Sequence, residues 1–294
     1  MALEMDQIKK IVQKIDELNL INPVGKIESF AEGNANEIFL IDNQYVLKVA
    51  KKNPKGIEVN DINTESAILE SLNGKMHHMP ELIYRNSNFN CYLSNLIKGE
   101  ILKPFLFKMD EEKKKELGKQ LGSFLYEFHS QKINIDLQSC PNKNYHTKRQ
   151  HQASIINSYK DKSENIGKLI TEISQIIELS LSESNLVLTH SDFHWKNIII
   201  DTTSYKFNGL IDFGNVCLDH PEVDFRQLMG RYDIDLGIAM VLEYEKLKGE
   251  KIDRKLLFAH CALNDLWHYY GKENKDPSPW YDKWFNKKNY FINF

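Results

Sequence analysis

The stretch Leu188-Thr189-His190-Ser191-Asp192-Phe193-His194-Trp195-Lys196-Asn197-Ile198-Ile199-Ile200 places an apolar run on either side of a polar loop that carries His190, Asp192 and Asn197. Beyond it, Leu210-Ile211-Asp212-Phe213-Gly214-Asn215 delivers a further carboxylate from an apolar run into a turn. Short apolar runs bounded by turn residues read as buried strands. The pattern is therefore strand, polar loop, strand, strand, turn. A lone H-x-D-x-x-x-x-N match is cheap, but a second carboxylate at loop distance with matching strand flanks makes chance a poor explanation.

Upstream of this stretch, Ile8, Ile11, Val12, Ile15 and Leu18 recur at helical spacing, and Asn22-Pro23 ends the element. Strands are expected over residues 24–30, 37–41 and 45–49, with Asp42-Asn43 as a hairpin turn. A helix is expected over 57–72, its apolar face supplied by Ile62, Ala67, Ile68, Leu69 and Leu72. Two more strands, 81–85 and 91–97, lead to Lys98-Gly99. One helix among five antiparallel strands makes a small α+β unit of about 100 residues. After Gly99 helical patterns dominate, at 111–129, 155–159, 166–181 and from Val223 onward, interrupted by strand-like runs at 186–188, 198–200 and 209–211. No repeat or low-complexity tract is seen. The expected division is 1–98 and 99–294.

The 294 residues carry 38 Lys+Arg against 41 Asp+Glu, a formal charge of −3. With 41% hydrophobic and 27% charged residues the composition is that of a folded globular chain, which excludes a disordered one. Nucleic-acid binding is not expected, because neutralising phosphates needs a basic surface. The basic runs Lys113-Lys114-Lys115 and residues 283–288 are short and read as solvated helix faces. The opening Met1-Ala2-Leu3-Glu4-Met5-Asp6 has no basic segment followed by an apolar one, and no run approaches a membrane span of about 20 apolar residues. Cys91, Cys140, Cys217 and Cys261 are too far apart for metal-ligand or redox spacing. A reducing, cytoplasmic setting with no membrane contact is the expectation.

Taken with its flanks, the stretch around Asp192 and Asp212 resembles the aminoglycoside phosphotransferase family, which shares the two-lobed fold of eukaryotic-like protein kinases. The resemblance extends over nearly the whole chain and is nearest to the 2″-phosphotransferase type. It implies a bilobal fold, with a small antiparallel-sheet N-lobe for nucleotide and a larger, mainly helical C-lobe for catalysis and acceptor. Phosphoryl transfer runs through a loose transition state, so positioning and charge neutralisation supply most of the catalysis. On this resemblance Asp192 accepts a hydrogen bond from the acceptor hydroxyl, and Asn197 and Asp212 offer the oxygen ligands that Mg²⁺ prefers. His190 reads as a brace for the loop. The family also needs a strand lysine and a helix glutamate. Lys48 is an odd charge in the apolar strand Tyr45-Val46-Leu47-Lys48-Val49, and Glu65 stands in Asn63-Thr64-Glu65-Ser66-Ala67. That pair would hold the α- and β-phosphates.

The phosphate-covering turn would be Ser29-Phe30-Ala31-Glu32-Gly33-Asn34-Ala35-Asn36, with Gly33 and Asn34 at its tip. Asn95 and Ile97, in Ser94-Asn95-Leu96-Ile97-Lys98-Gly99, would present backbone groups to the purine of ATP or GTP. A polycationic acceptor calls for carboxylates in the C-lobe cleft. The candidates are Asp219, Glu222, Asp224, Asp233, Asp235, Asp265 and Glu273, although Asp219 and Asp224 could instead cap a helix near Val223. Gly271-Lys272-Glu273 and Trp280-Tyr281-Asp282-Lys283-Trp284 resemble the tail of the 2″-type enzymes. Trp267, Trp280 and Trp284 read as core, with stacking on a sugar ring as the other role. Those relatives carry acids after Asp224-Phe225, whereas this chain has Gly230-Arg231-Tyr232-Asp233, and Arg231 would oppose a polycation.

The expected activity is Mg²⁺-dependent transfer from a nucleoside triphosphate to a small-molecule alcohol, with an aminoglycoside first and choline, a macrolide or a sugar as rivals. A non-catalytic kinase-like module is the reading from another class, and retention of Lys48, Glu65, Asp192, Asn197 and Asp212 speaks against it. A monomer or weak dimer is expected.

Overall fold

The computed structural model describes residues 5–21, 24–32, 36–51, 62–135, 159, 163–179, 186–271 and 276–294. Gly33, Asn34, Cys140, Glu273, the start of the helix expected from residue 57 and most of that expected over 155–159 lie outside them. Helix α1 (Met5–Glu17) precedes an antiparallel hairpin series of β1 (Ile27–Glu32), β2 (Asn36–Ile41) and β3 (Tyr45–Ala50). Helix α2 (Ile62–Leu72) follows, then β4 (Leu82–Asn86) and β5 (Cys91–Asn95), giving a five-stranded sheet ordered β1-β2-β3-β5-β4.

Strand alternation decides what this sheet does on each face. Phe39, Leu47 and Leu93 form one cross-strand row, with Val49 opposite Cys91, and these pack under Ile8, Ile11 and Ile15 of α1. The residue between Leu47 and Val49 must point the other way. Lys48, flanked by Ile38 and Tyr92 in the ladder, therefore faces α2 and the cleft.

The remainder is mainly helical, in the expected α+β organisation. A two-residue strand, β6 (Glu100–Ile101), leads through a short 3₁₀ turn to α3 (Glu111–His129) and, further on, α4 (Glu164–Leu179). Strands β7 (Val187–Thr189), β8 (Ile198–Ile200), β9 (Phe207–Leu210) and β10 (Cys217–Asp219) form two small sheets, β6-β8-β9 and β10-β7. Helices α5 (Glu222–Gln227), α6 (Ile234–Lys248), α7 (Arg254–Asp265) and α8 (Ser278–Asn293) complete the chain, with π-helical segments at Leu228–Tyr232 and Leu266–Gly271. Trp280 and Trp284 are fully buried, so the core role is the one they take.

Two glycines permit close approaches that position the site. Gly99 adopts φ +126°, and a Cβ there would come within 2.4 Å of the Ile200 carbonyl, so the connection out of the first sheet can lie against β8 only as glycine. On α3, a Cβ at Gly122 would fall 2.2 Å from Met240 O of α6, the helix with which α3 packs most extensively. Among the described residues no helix is long and apolar enough to cross a membrane, and Cys91, Cys217 and Cys261 are buried and form no disulfide.

Candidate active site

Lys48 is where the site begins. Its ammonium lies 3.0 and 2.7 Å from the two Glu65 oxygens and 2.9 Å from Asp212 Oδ1. Burial alone would push the ammonium pKa down, but Asp212 and Glu65 outweigh that effect and hold it well above the usual lysine value. One lysine thus ties a strand, a helix and the turn after β9 together, across 164 residues between Lys48 and Asp212. Glu65 is completely buried. Burial raises its carboxyl above the ordinary range despite the ammonium beside it.

The loop between β7 and β8 is held by backbone and side-chain bonds at both ends. Ile211 N–H donates to Asn197 O at 2.9 Å, which sets Asn197 beside the turn bearing Asp212. Asn197 Nδ2 donates to Asp192 O at 3.0 Å and reaches Asp192 Oδ2 at 3.4 Å. With its NH₂ so engaged, the amide keeps its carbonyl oxygen for a ligand. Asp212 adopts φ +68° and ψ +65°, and Ser191 adopts φ +64°. Left-handed conformations at residues other than glycine cost energy and gather at sites the rest of the fold constrains. Asp212 keeps a 34% exposed side chain. Asn197 and Asp212 together offer hard oxygen donors of the kind Mg²⁺ prefers. Among the described residues there is no cluster of three His, Cys, Asp or Glu that could hold a metal by itself.

His190 is fully buried, and its Nε2–H donates to Ile211 O at 3.2 Å while its ring lies 5.0 Å from that of Phe213. Burial lowers its pKa, so the imidazole stays neutral. This contact joins the loop to the Asp212 turn from behind.

The residue whose role was least legible is Asp224. Buried on α5, it accepts His190 N–H and Ser191 N–H at 2.7 Å each and His129 Nε2–H at 3.1 Å. His129 Nδ1 in turn lies within hydrogen-bond distance of the Tyr244 hydroxyl, 3.1 Å away. Burial alone would raise the Asp224 carboxyl, but the bond and charge of His129 and the loop N–H group hold it below the ordinary value. Asp224 therefore neither caps a helix nor lines a cleft. The α5 N-cap is Pro221, with no side-chain cap bond. Its neighbour Arg226 donates to Ser191 O at 2.8 Å, and Gln227 Nε2 donates to Asp192 Oδ1 at 2.9 Å. Neither contact has a signal in local spacing, because each crosses 35 residues.

Several carboxylates expected in the cleft are engaged elsewhere. Asp233 caps α6 through Leu236 N–H at 2.9 Å and pairs with Lys114 at 2.9 Å. Asp265 is buried, with Oδ2 accepting from Trp284 Nε1 and Lys283 Nζ at 2.8 Å each, so it fastens α7 to α8. Trp267 is half-buried and meets the His268 ring edge-on at 4.4 Å. Arg231 lies over the Tyr232 ring at 5.2 Å. At the hinge, Asn95 N–H donates to Glu81 O and Leu96 N–H to Gln44 O. Asn95 and Ile97 line a polar recess of about 310 Å³ with His78, Lys98 and Asn208.

Glu222, 4% exposed, accepts Asp253 N–H at 2.9 Å through Oε1, while Oε2 has no partner among the described residues. Burial raises its carboxyl to about 7. With the folded value raised, its share of stability is complete below the unfolded value of 4.5 and is lost as pH rises through about 7. Glu222→Gln keeps the acceptor and removes the charge. Its urea-unfolding free energy is expected to exceed the parent's by about 3 kcal/mol at about pH 9. The two should converge as pH falls toward 4.5. Parallel stability curves at all pH values would exclude this role.

No curated protein sequence matches the chain. The model of the phosphotransferase enzyme family matches residues 26–257. The ternary complex of APH(2″)-IIa with streptomycin and ATP superposes with a TM-score of 0.65 at 20% identity, covering 94% of this chain and 98% of that one. The GDP complex of aminoglycoside 2′-phosphotransferase-IIIa gives 0.68 at 17% identity, covering 97% and 99%. A macrolide 2′-phosphotransferase type I gives 0.56 at 12%, covering 98% of each chain. At these identities the likeness is one of fold.

Proposed function

Because the chain belongs to the phosphotransferase enzyme family, we propose that it moves the γ-phosphoryl group of ATP or GTP, with Mg²⁺, to a hydroxyl of a small molecule, with an aminoglycoside as the first acceptor to test. The observation that carries this reading is the single ammonium of Lys48 bonded at once to Glu65 and Asp212. A buried lysine bridging two elements to a turn beside an Asp-Asn loop is an arrangement for gripping a triphosphate.

In this reading Lys48 binds the α- and β-phosphates and Glu65 holds it in place. Asp192, 30% exposed at its side chain, accepts a hydrogen bond from the acceptor hydroxyl and aims its oxygen in line with the γ-phosphorus. The hydroxyl proton passes to the Asp192 carboxylate as the new P–O bond forms and the bond to the nucleoside diphosphate breaks. Asn197 and Asp212 would hold Mg²⁺, which would supply neutralisation of the charge on the phosphates. His190 and Asp224 keep the loop fixed, so that no reorganisation is needed during transfer.

A less cationic acceptor, such as a macrolide or a sugar, is favoured by one specific observation. Asp233 and Asp265, two carboxylates suited to a polycation, are already paired with Lys114 and Lys283. The test is nucleoside diphosphate release from ATP and from GTP, with Mg²⁺, over a panel of aminoglycosides, macrolides, choline and sugars. At least one aminoglycoside is expected to stimulate release. Stimulation only by a macrolide, choline or sugar would establish the second reading, and no transfer to any alcohol or to water would overturn the kinase reading.

A further inference from the structure

We infer that Gln227 is a positioning residue for Asp192, an inference that rests on the phosphotransfer reading above. A carboxylate can only accept, so the group facing Asp192 Oδ1 at 2.9 Å is the amide NH₂ of Gln227. Oδ2 makes the longer contacts, 3.4 Å to Asn197 Nδ2 and 3.6 Å to His194 Nε2. The short contact to Oδ1 fixes the rotation of the carboxylate, and with it the direction in which Oδ2 meets a hydroxyl.

The local helix geometry supports the same role. α5 ends at Gln227 and gives way to a π-helical segment in which Asp233 N–H donates to Leu228 O, five residues back. Such wide turns occur often at functional sites. Here the segment lays Tyr232 on Trp195, with ring centroids 3.8 Å apart and planes 14° from parallel, while Gln227 reaches Asp192 in the same loop. Arg226 grips Ser191 O beside it. Arg226 and Gln227 of α5 and Tyr232 of the π-helical segment thus hold the loop at Ser191, Asp192 and Trp195.

Gln227 is 4% exposed, and its Oε1 has no partner among the described residues. An apolar side chain of that size would fill the space without burying an amide oxygen. The contact that only the amide makes is the N–H donated to Asp192.

The test compares the parent with Gln227→Met, which keeps the volume and removes the donor, and with Gln227→Asn, which keeps the amide but is too short to reach. Rates are read with the acceptor found in the panel, or with water as acceptor if none is found. A parent that transfers to neither would refute the phosphotransfer reading and this inference with it. Given an active parent, kcat of each variant is expected to fall about ten- to a hundredfold, as for loss of a hydrogen bond to a charged group. Nucleotide KM and melting temperature should stay at parent values. Should Gln227→Met not fold, Gln227→Asn alone decides. An unchanged kcat in a folded variant would overturn the inference. So would a loss of kcat accompanied by an equal loss of nucleotide affinity and thermal stability, since a merely structural residue behaves in that way.

Discussion

Asp192→Asn is expected to lower turnover about 10²- to 10⁴-fold, the range set by losing a positioned general base. The substitution is nearly isosteric, and the new amide oxygen can still accept the Gln227 N–H that now reaches Oδ1 at 2.9 Å. The loop should therefore keep its shape. What is lost is the negative charge that, in the proposed mechanism, draws and orients the hydroxyl proton. Because Lys48, Glu65 and Asp212 bond among themselves without Asp192, calorimetric nucleotide affinity should be largely retained. Turnover at the parent's rate would refute the base assignment, whereas equal losses of affinity and rate would place Asp192 in nucleotide binding.

Asp224→Ala is expected to cost about 3–5 kcal/mol of stability, the penalty for breaking a buried, hydrogen-bonded charge pair. The loss would leave His190 N–H, Ser191 N–H and His129 Nε2–H facing a cavity instead of a carboxylate. Against a typical total of about 5–15 kcal/mol, a weakly folded protein is the expected product. Asp224→Asn supplies the intermediate case. Its amide retains one acceptor but turns an NH₂ toward a donor, so both stability and turnover should fall part of the way. The sign of the pH dependence follows from the lowered carboxyl of Asp224. Its stabilisation is present above the unfolded value of 3.8 and is lost as pH falls through the lower folded value. The gap between parent and Asp224→Ala should therefore narrow in acid. Chemical denaturation across that range measures it, and a difference under about 1 kcal/mol at neutral pH would mean that the loop holds its own shape.

Much of the architecture was legible because it follows from short-range periodicity. Lys48 could be recognised because charge interrupts alternation in an otherwise apolar strand, and parity then dictates the face it occupies. Elements too short to show a period were not legible. Glu100–Ile101 and Cys217–Asp219 became strands only because Ile199–Ile200 and Val187–Thr189 offered them partners. The π-helical turn at Leu228–Tyr232 differs from an α-helix by a register that no spacing of apolar residues announces.

The acids show the same division. Asp192 and Asp212 stood out through their immediate neighbours, but the sequence offered Asp233 and Asp265 for the cleft and set Asp224 apart only as a helix cap, a role that it does not take. Packing separates them: Asp224 meets two loop N–H groups, Asp233 meets Lys114, and Asp265 meets Trp284 and Lys283.

The order of the longer strands and helices as far as β9, the Asp192–Asn197 loop and the charged strand position at Lys48 were determined by sequence alone, since each depends on residues within a few positions of one another. Whether a carboxylate faces a cleft or is consumed inside the protein, and that Gln227 reaches Asp192, depended on which distant elements pack together. Those contacts span tens of residues, and only the folded chain brings their partners within hydrogen-bond range.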